Sequence, residues 1–325
     1  MKTLRHAIRD YLELRRGLGF KLVVDERHLC AFALSLEKRK TSCITTQLAL
    51  EFATEGQHLD RGSWVQRMCA VRAFAQYWRG LDPTSEIPPA GLLRCPKKRA
   101  RPRFCSDKEI IQILDTARTV QATQTHGLRP WTLYALFGLL AVTGMRIGEA
   151  INLRADAIDW KQGVITVRNT KFGKSRLVPL HRSTLRVLVA YSRKRNRFLG
   201  GSWRGVPLRR PSGLFFVSNY GTRLSDGNLR DAFKGLLRKA ELETPGLPRM
   251  RIHDLRHRFA VETIRRWYRN IGENVDRRLP VLSTYLGHVN VAATYWYLSC
   301  TPELRAIANR RVEARWKGVG HDSIA

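Results

Sequence analysis

The amino-acid sequence predicts a mainly α-helical protein of two domains, with one small antiparallel sheet in the second domain. The length of 325 residues suits two domains, because a domain usually takes roughly 100–200 residues. Apolar residues recur every three or four positions along most of the chain, which is typical of amphipathic helices. A proline-rich segment at residues 87–106 interrupts this spacing and indicates a boundary between domains.

Residues 1–86 are predicted to form a domain of four short amphipathic helices. The first helix should end at Gly17 and Gly19, because glycine interrupts helices. Side chains suited to cap the N-termini of the next three helices are Asp25, Thr45 or Thr46, and Ser63. The apolar faces of these helices are most simply the core of the domain.

Residues 106–325 are predicted to form a second domain, which is helical except for one hairpin. Ser106 and Glu109 have the spacing of a capping box, and Pro130 begins a helix that is apolar nearly all round. Two β-like runs at 163–168 and 176–180 are joined by a polar turn, which predicts an antiparallel hairpin. Further helices are predicted at 146–153, 182–197, 225–240, 252–268, 280–287 and 302–317.

The sign of the charge is unusual. Lysine and arginine total 58 against 27 acidic residues, which gives a formal net charge of +31. So many positive charges repel one another in a folded chain unless a polyanion neutralises them. Nucleic acid is the favoured partner, ahead of an anionic membrane surface or no partner at all. A hydrophobic fraction of 43% excludes a disordered basic tail.

Several other classes are excluded by simple patterns. Apolar runs are shorter than the roughly 20 residues of a membrane span, and the charged N-terminus lacks the apolar region of a secretory signal. Six scattered cysteines form no CxxC pair, which argues against a zinc site or disulfide framework and favours the cytoplasm. No phosphate-binding loop of a nucleotide hydrolase is present. We therefore expect no metal and no cofactor.

Basic residues without acidic neighbours occur in two segments. The segment 87–106, which consists of the linker 87–105 and Ser106, contains four prolines, six basic residues and no acidic residue. The linker is either a solvated spacer or an extended segment that lies along a phosphate backbone. The net positive charge of the protein favours the second interpretation. The candidate DNA-binding residues of the linker are Lys97, Lys98, Arg99, Arg101 and Arg103. A second candidate is the segment 192–211, with seven basic residues and no acidic residue.

Three motifs contain polar residues at positions where the packing of a hydrophobic core does not explain them. In the sequence TGMRIGE at 143–149, Arg146 opens a helix and Glu149 can hold it from three residues away. In HDLRH at 253–257, His253 and Arg256 share one helical face and can contact a common anion. The third motif is LGH at 286–288, followed by Tyr297 nine residues after the histidine. Each motif alone has an ordinary structural explanation.

Together and in this order, the motifs resemble those of the tyrosine recombinase (phage integrase) family, with a lysine in the hairpin turn as the fifth element. The resemblance covers the second domain from about Ser106 to Leu298. It implies an N-terminal core-binding (SAM-like) domain, the linker, and a catalytic domain at 106–325. The C-terminal helix of this domain either docks into a neighbouring protomer, as the resemblance favours, or packs against its own chain. The sequences LPVLSTYLGH and TYWYLS look like a transposon-associated branch of the family.

The resemblance also implies the role of each residue. Tyr297 would attack a phosphodiester to give a 3′-phosphotyrosyl link, and Arg146 and Arg256 would neutralise the transition state. His253 would contact the phosphate or help accept the tyrosine proton, and His288 would donate to a phosphate oxygen. Lys171 would protonate the leaving 5′ oxygen. Glu149 and His257 would contact these groups and hold them in position without a direct part in the reaction.

Two assignments have an alternative within the sequence. Lys174 shares the hairpin turn with Lys171, and the distance to the strand at 177–180 selects Lys171. Tyr295 lies close to Tyr297, and the spacing from His288 selects Tyr297.

By resemblance, the partner is double-stranded DNA with specific recombination sites, in the cytoplasm and associated with the nucleoid. The active form would be a homo-tetramer on DNA, alone or together with related recombinases, acting through a Holliday junction in integration, excision or transposition of a mobile element. Two other functions stay open: DNA relaxation of the type IB topoisomerase kind, and a non-catalytic DNA-binding accessory role. The second predicts loss of a catalytic residue, and none is missing.

DNA cleavage should persist when EDTA removes divalent metal ions, because two guanidinium groups can neutralise the charge that develops on the phosphate. The measurement is formation of the covalent protein–DNA adduct on nicked DNA, with and without EDTA. A strict requirement for magnesium would contradict this prediction.

Overall fold

The computed structural model describes residues 3–56, 60–95, 102–120, 127–168, 175–200, 202–203, 206–207, 213–270, 274–300, 303–306, 309–310 and 313. The chain divides into two compact units, Met1–Arg99 and Ala100–Ala325. Both units are mainly helical, and the second contains a small antiparallel sheet. The predicted fold class is therefore confirmed.

The first unit contains four helices around one apolar core. Their bounds are Leu4–Gly17 (α1), Val23–Lys38 (α2), Thr46–Thr54 (α3) and Arg61–Trp78 (α4). Leu29, Phe32 and Phe74 are fully buried in this core. Tyr11 of α1 packs edge-on against Phe74 of α4, with 5.6 Å between ring centroids. The apolar faces expected from the sequence thus form the core of this unit.

The N-caps of these helices agree only in part with the sequence prediction. Thr45 caps α3, since its hydroxyl accepts from the Leu48 N–H. Ser63 does not cap α4, because Asp60 takes that place and accepts from the Ser63 N–H at 2.8 Å. Asp60 extends the helix by one turn, and its carboxylate also suits the positive end of the helix dipole. The prediction that Asp25 caps the second helix was also wrong, because α2 already begins at Val23.

The second unit contains eight helices and two small sheets among its described residues. The helices are Asp107–Thr119 (α5), Arg129–Thr143 (α6), Ile147–Ile151 (α7), Arg182–Leu199 (α8), Asp226–Lys239 (α9), Ile252–Arg269 (α10), Val275–Leu286 (α11) and Ala292–Cys300 (α12). The strands are Ile158–Asp159 (β1), Val164–Val167 (β2), Arg176–Pro179 (β3), Ser202–Trp203 (β4) and Val206–Pro207 (β5). The first three form an antiparallel sheet in the order β1-β2-β3, and β4 pairs with β5.

Most predicted elements of this unit are present, with differences at the start of α11, at the strands β1, β4 and β5, and at the helix α12. The capping box of Ser106 and Glu109 is formed, and β2 and β3 are the predicted hairpin. The predicted start of a helix at residue 280 was wrong, because α11 begins at Val275 and contains Pro280. Asn274 caps it and accepts from the Arg277 N–H. The strands β1, β4 and β5 and the helix α12 were not predicted.

The central helix α6 ends at a glycine, Gly144, which lies against α10. This helix packs against α5, α8 and α10. Gly144 ends it with φ +62°, and a Cβ there would lie 2.6 Å from Cδ1 of Phe259 on α10. An L-residue is strained at this backbone angle. Glycine at this position therefore allows α10 to approach the end of α6.

A buried ion pair fastens β3 to α7. Nη1 and Nη2 of Arg176 donate to Oε1 and Oε2 of Glu149 at 3.0 and 2.7 Å. The Arg176 and Glu149 side chains are only 7% and 9% exposed. Nε of Arg176 also donates to the Tyr285 carbonyl on α11 at 2.6 Å. One guanidinium thus connects β3, α7 and α11.

The same pair controls the protonation of Glu149. Burial by itself would raise the pKa of this carboxyl, but hydrogen bonds and charge from Arg176, with hydrogen bonds from Arg146, lower it overall. A lowered pKa in the folded state contributes stability above the ordinary value of 4.5. That contribution is lost as the pH falls through the folded-state pKa.

We expect Gly144→Ala to lower the free energy of unfolding by about 1–2 kcal/mol from backbone strain alone, with a further loss because Phe259 must shift. Thermal or urea unfolding measures the change. The matched control is Gly235→Ala in α9, where the added methyl group meets open space and should stabilise the helix by roughly 0.5–1 kcal/mol. Equal effects of the two substitutions would contradict the proposed role of Gly144.

We expect Glu149→Gln to lower the free energy of unfolding by about 3–5 kcal/mol at neutral pH, because Arg176 would stay buried without its counter-charge. The variant should also lose less stability than the wild type as the pH falls below 4.5. Asp226→Asn is the control: it removes an exposed ion pair with Arg230 and should cost less than about 1 kcal/mol. Parallel stability–pH curves for wild type and Glu149→Gln would show that this carboxylate is not the titrating group.

Candidate active site

Two arginines from distant parts of the sequence meet at the turn that follows α11. Nη1 of Arg256 donates to the Gly144 carbonyl at 2.7 Å, and Nη2 donates to the Leu286 carbonyl at 2.6 Å. Nη2 of Arg146 donates to the next carbonyl, that of Gly287, at 2.7 Å. Two consecutive carbonyl oxygens therefore hold both guanidinium groups in one place.

Arg146 is positioned by its own helix. It is the extended residue immediately before α7, and its backbone N–H donates to Oε2 of Glu149 at 2.9 Å. Its Nη1 donates to Oε1 of the same carboxylate at 2.8 Å. Glu149 thus binds Arg146 and Arg176 together. The Arg146 side chain is 32% exposed, so the group keeps an edge toward solvent while its position is fixed.

Arg256 is far more buried than Arg146. The residue is 2% exposed, and burial, followed by the positive charge of Arg146, lowers the pKa of its guanidinium to about 10. Tyr297 and Glu149 partly offset this effect. Arg256 remains charged at neutral pH, beside a second cation. The site therefore carries concentrated positive charge, which an anion such as phosphate would stabilise.

The tyrosine lies beside this positive charge. Tyr297 of α12 is 2% exposed and belongs to a small apolar cluster with Leu279, Leu282 and Leu286 of α11. Its hydroxyl lies 3.1 Å from Nδ1 of His257. Tyr295, the alternative nucleophile, is 45% exposed. Of the two tyrosines, the structure brings Tyr297 into the arginine site.

Three histidines surround the tyrosine. His288 stacks on Tyr297 with 6.2 Å between ring centroids, and its Nδ1 lies 2.7 Å from Oγ1 of the buried Thr294. The His253 ring packs edge-on against His257 at 4.5 Å. Burial, followed by the charge of Arg256, lowers the pKa of His253 to about 4. His253 is therefore neutral at neutral pH and can act as a hydrogen-bond donor without adding charge.

Other predicted site residues fall elsewhere. Lys171, with its alternative Lys174, lies outside the described residues, as do Lys97, Lys98, Arg99 and Arg101. Arg103 is described, and it donates to Oε1 of Glu109 at 3.2 Å with a side chain that is 10% exposed. Contact of Arg103 with DNA would require this ion pair to open.

The described part of the basic segment 192–211 lies partly in a helix. Its first residues belong to α8, which ends at Leu199. Arg195 is 8% exposed, and its Nη1 donates to the Phe215 carbonyl at 3.1 Å. The expectation that this segment contacts a DNA backbone therefore does not extend to Arg195, which holds a neighbouring loop in place.

Sequence reasoning missed two residues of the site, Arg176 and Thr294. Arg176 shares a face of β3 with the fully buried Val178, because alternate strand residues point the same way. A charged residue in phase with a buried valine signals a buried ion pair. Thr294, which is 0% exposed, gave no comparable signal because α12 itself was not predicted.

The described residues contain neither a cluster of metal-binding side chains nor a helix that could span a membrane. No group of three or more histidine, cysteine, aspartate or glutamate side chains is arranged to hold a metal ion there. Across the same residues, no helix combines the length and apolarity needed to cross a membrane.

Comparisons with known proteins agree with this geometry. The sequence profile of the phage integrase family matches residues 103–303. A protein of Sinorhizobium fredii with the provisional name integrase/recombinase y4rB is 44% identical over 319 residues, covering 98% of this chain and 99% of the relative. The tyrosine recombinase XerC of Staphylococcus aureus is 25% identical over 241 residues, covering 74% of this chain and 71% of the relative.

Solved structures show the same fold. The Tn1549 transposon integrase in complex with transposon right end DNA has a TM-score of 0.62 at 17% identity, covering 96% of this chain and 100% of that one. A lambda integrase tetramer bound to a Holliday junction has a TM-score of 0.57 at 19% identity, covering 89% of this chain and 78% of that one. The chain belongs to the phage integrase family and is a tyrosine-type site-specific DNA recombinase.

Proposed function

We propose that this recombinase cleaves DNA by attack of Tyr297 on a phosphodiester, which forms a 3′-phosphotyrosyl link and releases a 5′ hydroxyl. One observation carries the proposal: Arg146 and Arg256 are held on consecutive carbonyls of the turn at 286–288, and the Tyr297 ring stacks on His288 of the same turn. A nucleophile beside two fixed cations suits phosphoryl transfer.

Each side chain has a part in this reaction. Arg146 and Arg256 neutralise the charge that develops on the non-bridging oxygens. His288 and the neutral His253 donate hydrogen bonds to the same phosphate. Lys171 is proposed as the acid that protonates the leaving 5′ oxygen, on the strength of the family resemblance alone. The covalent link conserves the energy of the broken bond, so rejoining needs no nucleotide.

The larger assembly is also a proposal. We propose a homo-tetramer on two DNA duplexes that acts through a Holliday junction, as in the lambda integrase complex of the same fold. A role in integration, excision or transposition of a mobile element is supported by the name of the relative y4rB and by the transposon integrase of similar fold. The helical region 1–86, the linker 87–105 and the region 106–325 are all proposed to contact DNA.

The C-terminal helix is proposed to dock into a neighbouring protomer. In the single chain, Leu304 is 1% exposed and packs in the apolar cluster that contains Tyr297. Docking in a neighbour would therefore begin with release of this contact. We propose the cytoplasm, at the nucleoid, as the working location, because DNA is the proposed partner.

We expect Tyr297→Phe to abolish covalent trapping on nicked DNA while DNA binding stays unchanged, because only the nucleophilic oxygen is lost. Trapping is measured on denaturing gels and binding by a mobility-shift assay. Tyr295→Phe is the matched control and should trap normally. Loss of trapping in the control, with trapping kept in Tyr297→Phe, would identify Tyr295 as the nucleophile.

The same proteins distinguish recombination from relaxation. A supercoiled plasmid without a recombination site should not be relaxed efficiently by the wild type. Efficient relaxation of that plasmid would favour a topoisomerase-like function instead.

A further inference from the structure

We infer that His257 accepts the proton of Tyr297 during DNA cleavage. The inference rests on the proposed role of Tyr297 as the nucleophile, and it gives His257 a direct part in the reaction in place of a supporting one. The observation behind it is the distance of 3.1 Å between Nδ1 of His257 and the Tyr297 hydroxyl.

The three histidines meet Tyr297 in different ways. His288 presents its ring face to the tyrosine ring, and its Nδ1 is engaged with Thr294. His253 reaches the edge of the His257 ring. His257 places a ring nitrogen at the reacting oxygen, within the distance that proton transfer requires. The geometry therefore distinguishes His257 as the base and leaves the other two to contact the phosphate.

The surroundings hold the His257 imidazole in place. Its ring packs against Trp296 at 5.4 Å and against His253 at 4.5 Å, measured between centroids. His257 lies on α10, and Tyr297 lies on α12, which packs against it. Two packed helices thus set the distance between base and nucleophile, which is how catalytic groups are kept in line.

A base is needed because an ordinary tyrosine ionises only near pH 10. An imidazole titrates close to neutral pH and is the usual choice for this task. His253 is poorly suited, because burial and Arg256 lower its pKa to about 4. Of the titratable groups near the reacting oxygen, the rings of His253 on α10 and Tyr297 on α12 pack against His257. Tyr297 in turn stacks on His288 and interacts with the charge of Arg256.

The step balances without another reactant. The proton leaves the Tyr297 hydroxyl for Nδ1 of His257, and the phenolate oxygen forms a bond to phosphorus. The bond from phosphorus to the 5′ oxygen breaks with its electron pair, and that oxygen takes a proton from Lys171 or from water. On rejoining, the 5′ hydroxyl gives its proton back to Lys171 or to water as its oxygen bonds to phosphorus. The bond from phosphorus to the Tyr297 oxygen breaks with its electron pair, and the proton on His257 returns to that oxygen.

The test uses the full-length protein with His257→Asn, which keeps a hydrogen-bond acceptor close to the position of Nδ1 and accepts no proton. Single-turnover cleavage of nicked DNA should slow by about 10²- to 10⁴-fold, the usual contribution of a general base. The fall in rate on the acid side of the wild-type pH profile should disappear. His181→Asn is the matched control, since His181 caps α8 and asparagine also serves as an N-cap.

Two chemical rescues separate the proton acceptor from other roles. Replacement of Tyr297 by a fluorotyrosine, whose hydroxyl ionises at lower pH, should restore much of the rate in His257→Asn. A 5′-phosphorothiolate substrate, whose leaving group needs no proton, should not restore it. Rescue by the phosphorothiolate would assign His257 to the leaving group and overturn the inference.

Two further results would decide the matter. Cleavage by His257→Asn or His257→Ala at or above the wild-type rate would overturn the inference, because the contact would then only restrain the tyrosine before DNA binds. Continued trapping by Tyr297→Phe would instead refute the proposed nucleophile. The failure of the proposed function is therefore distinguishable from the failure of this inference.

Discussion

The active site depends on one buried carboxylate. Glu149 binds the guanidinium groups of Arg146 and Arg176 at once through three hydrogen bonds, and it also accepts from the Arg146 backbone N–H, all at 2.7 to 3.0 Å. In a chain with a net charge of +31, two neighbouring cations would otherwise repel each other. A carboxylate in a partly buried position attracts both strongly, and removal of one member leaves an uncompensated charge. The location of Arg146 is therefore set by the fold, before any phosphate arrives.

The turn at 286–288 is the second constraint, because it joins the two arginines to the nucleophile. Gly287 has φ +67°, and a Cβ there would approach Nη1 of Arg176 to 3.1 Å and Nη1 of Arg146 to 3.3 Å. Glycine thus lets the backbone turn directly beneath the guanidinium groups. The carbonyls of Leu286 and Gly287 accept hydrogen bonds from Arg256 and Arg146, and His288 follows and stacks on Tyr297. One short turn arranges most of the site.

The charge has two uses that composition could not separate. Much of the excess lies on the surface, where it should give steep salt dependence of DNA binding. A small part is concentrated at Arg146 and Arg256, where burial and like charge lower the pKa of Arg256 to about 10. A bound phosphate would relieve both effects. In the proposed reaction, the exposed basic residues would hold DNA, and the buried charge would bind the reacting phosphate.

The sequence by itself determined the helical fold class, the hairpin and the motif residues, because helical spacing, capping boxes and ordered motifs are local patterns. It did not find α12 or the start of α11, since Pro280 lies inside that helix and a proline usually marks a boundary. Packing between α10 and α12 alone decided that His257, rather than His253, faces the Tyr297 hydroxyl. Packing also decided that Arg176 supports the site. These contacts join residues 27 or more positions apart, and no local spacing encodes such distances.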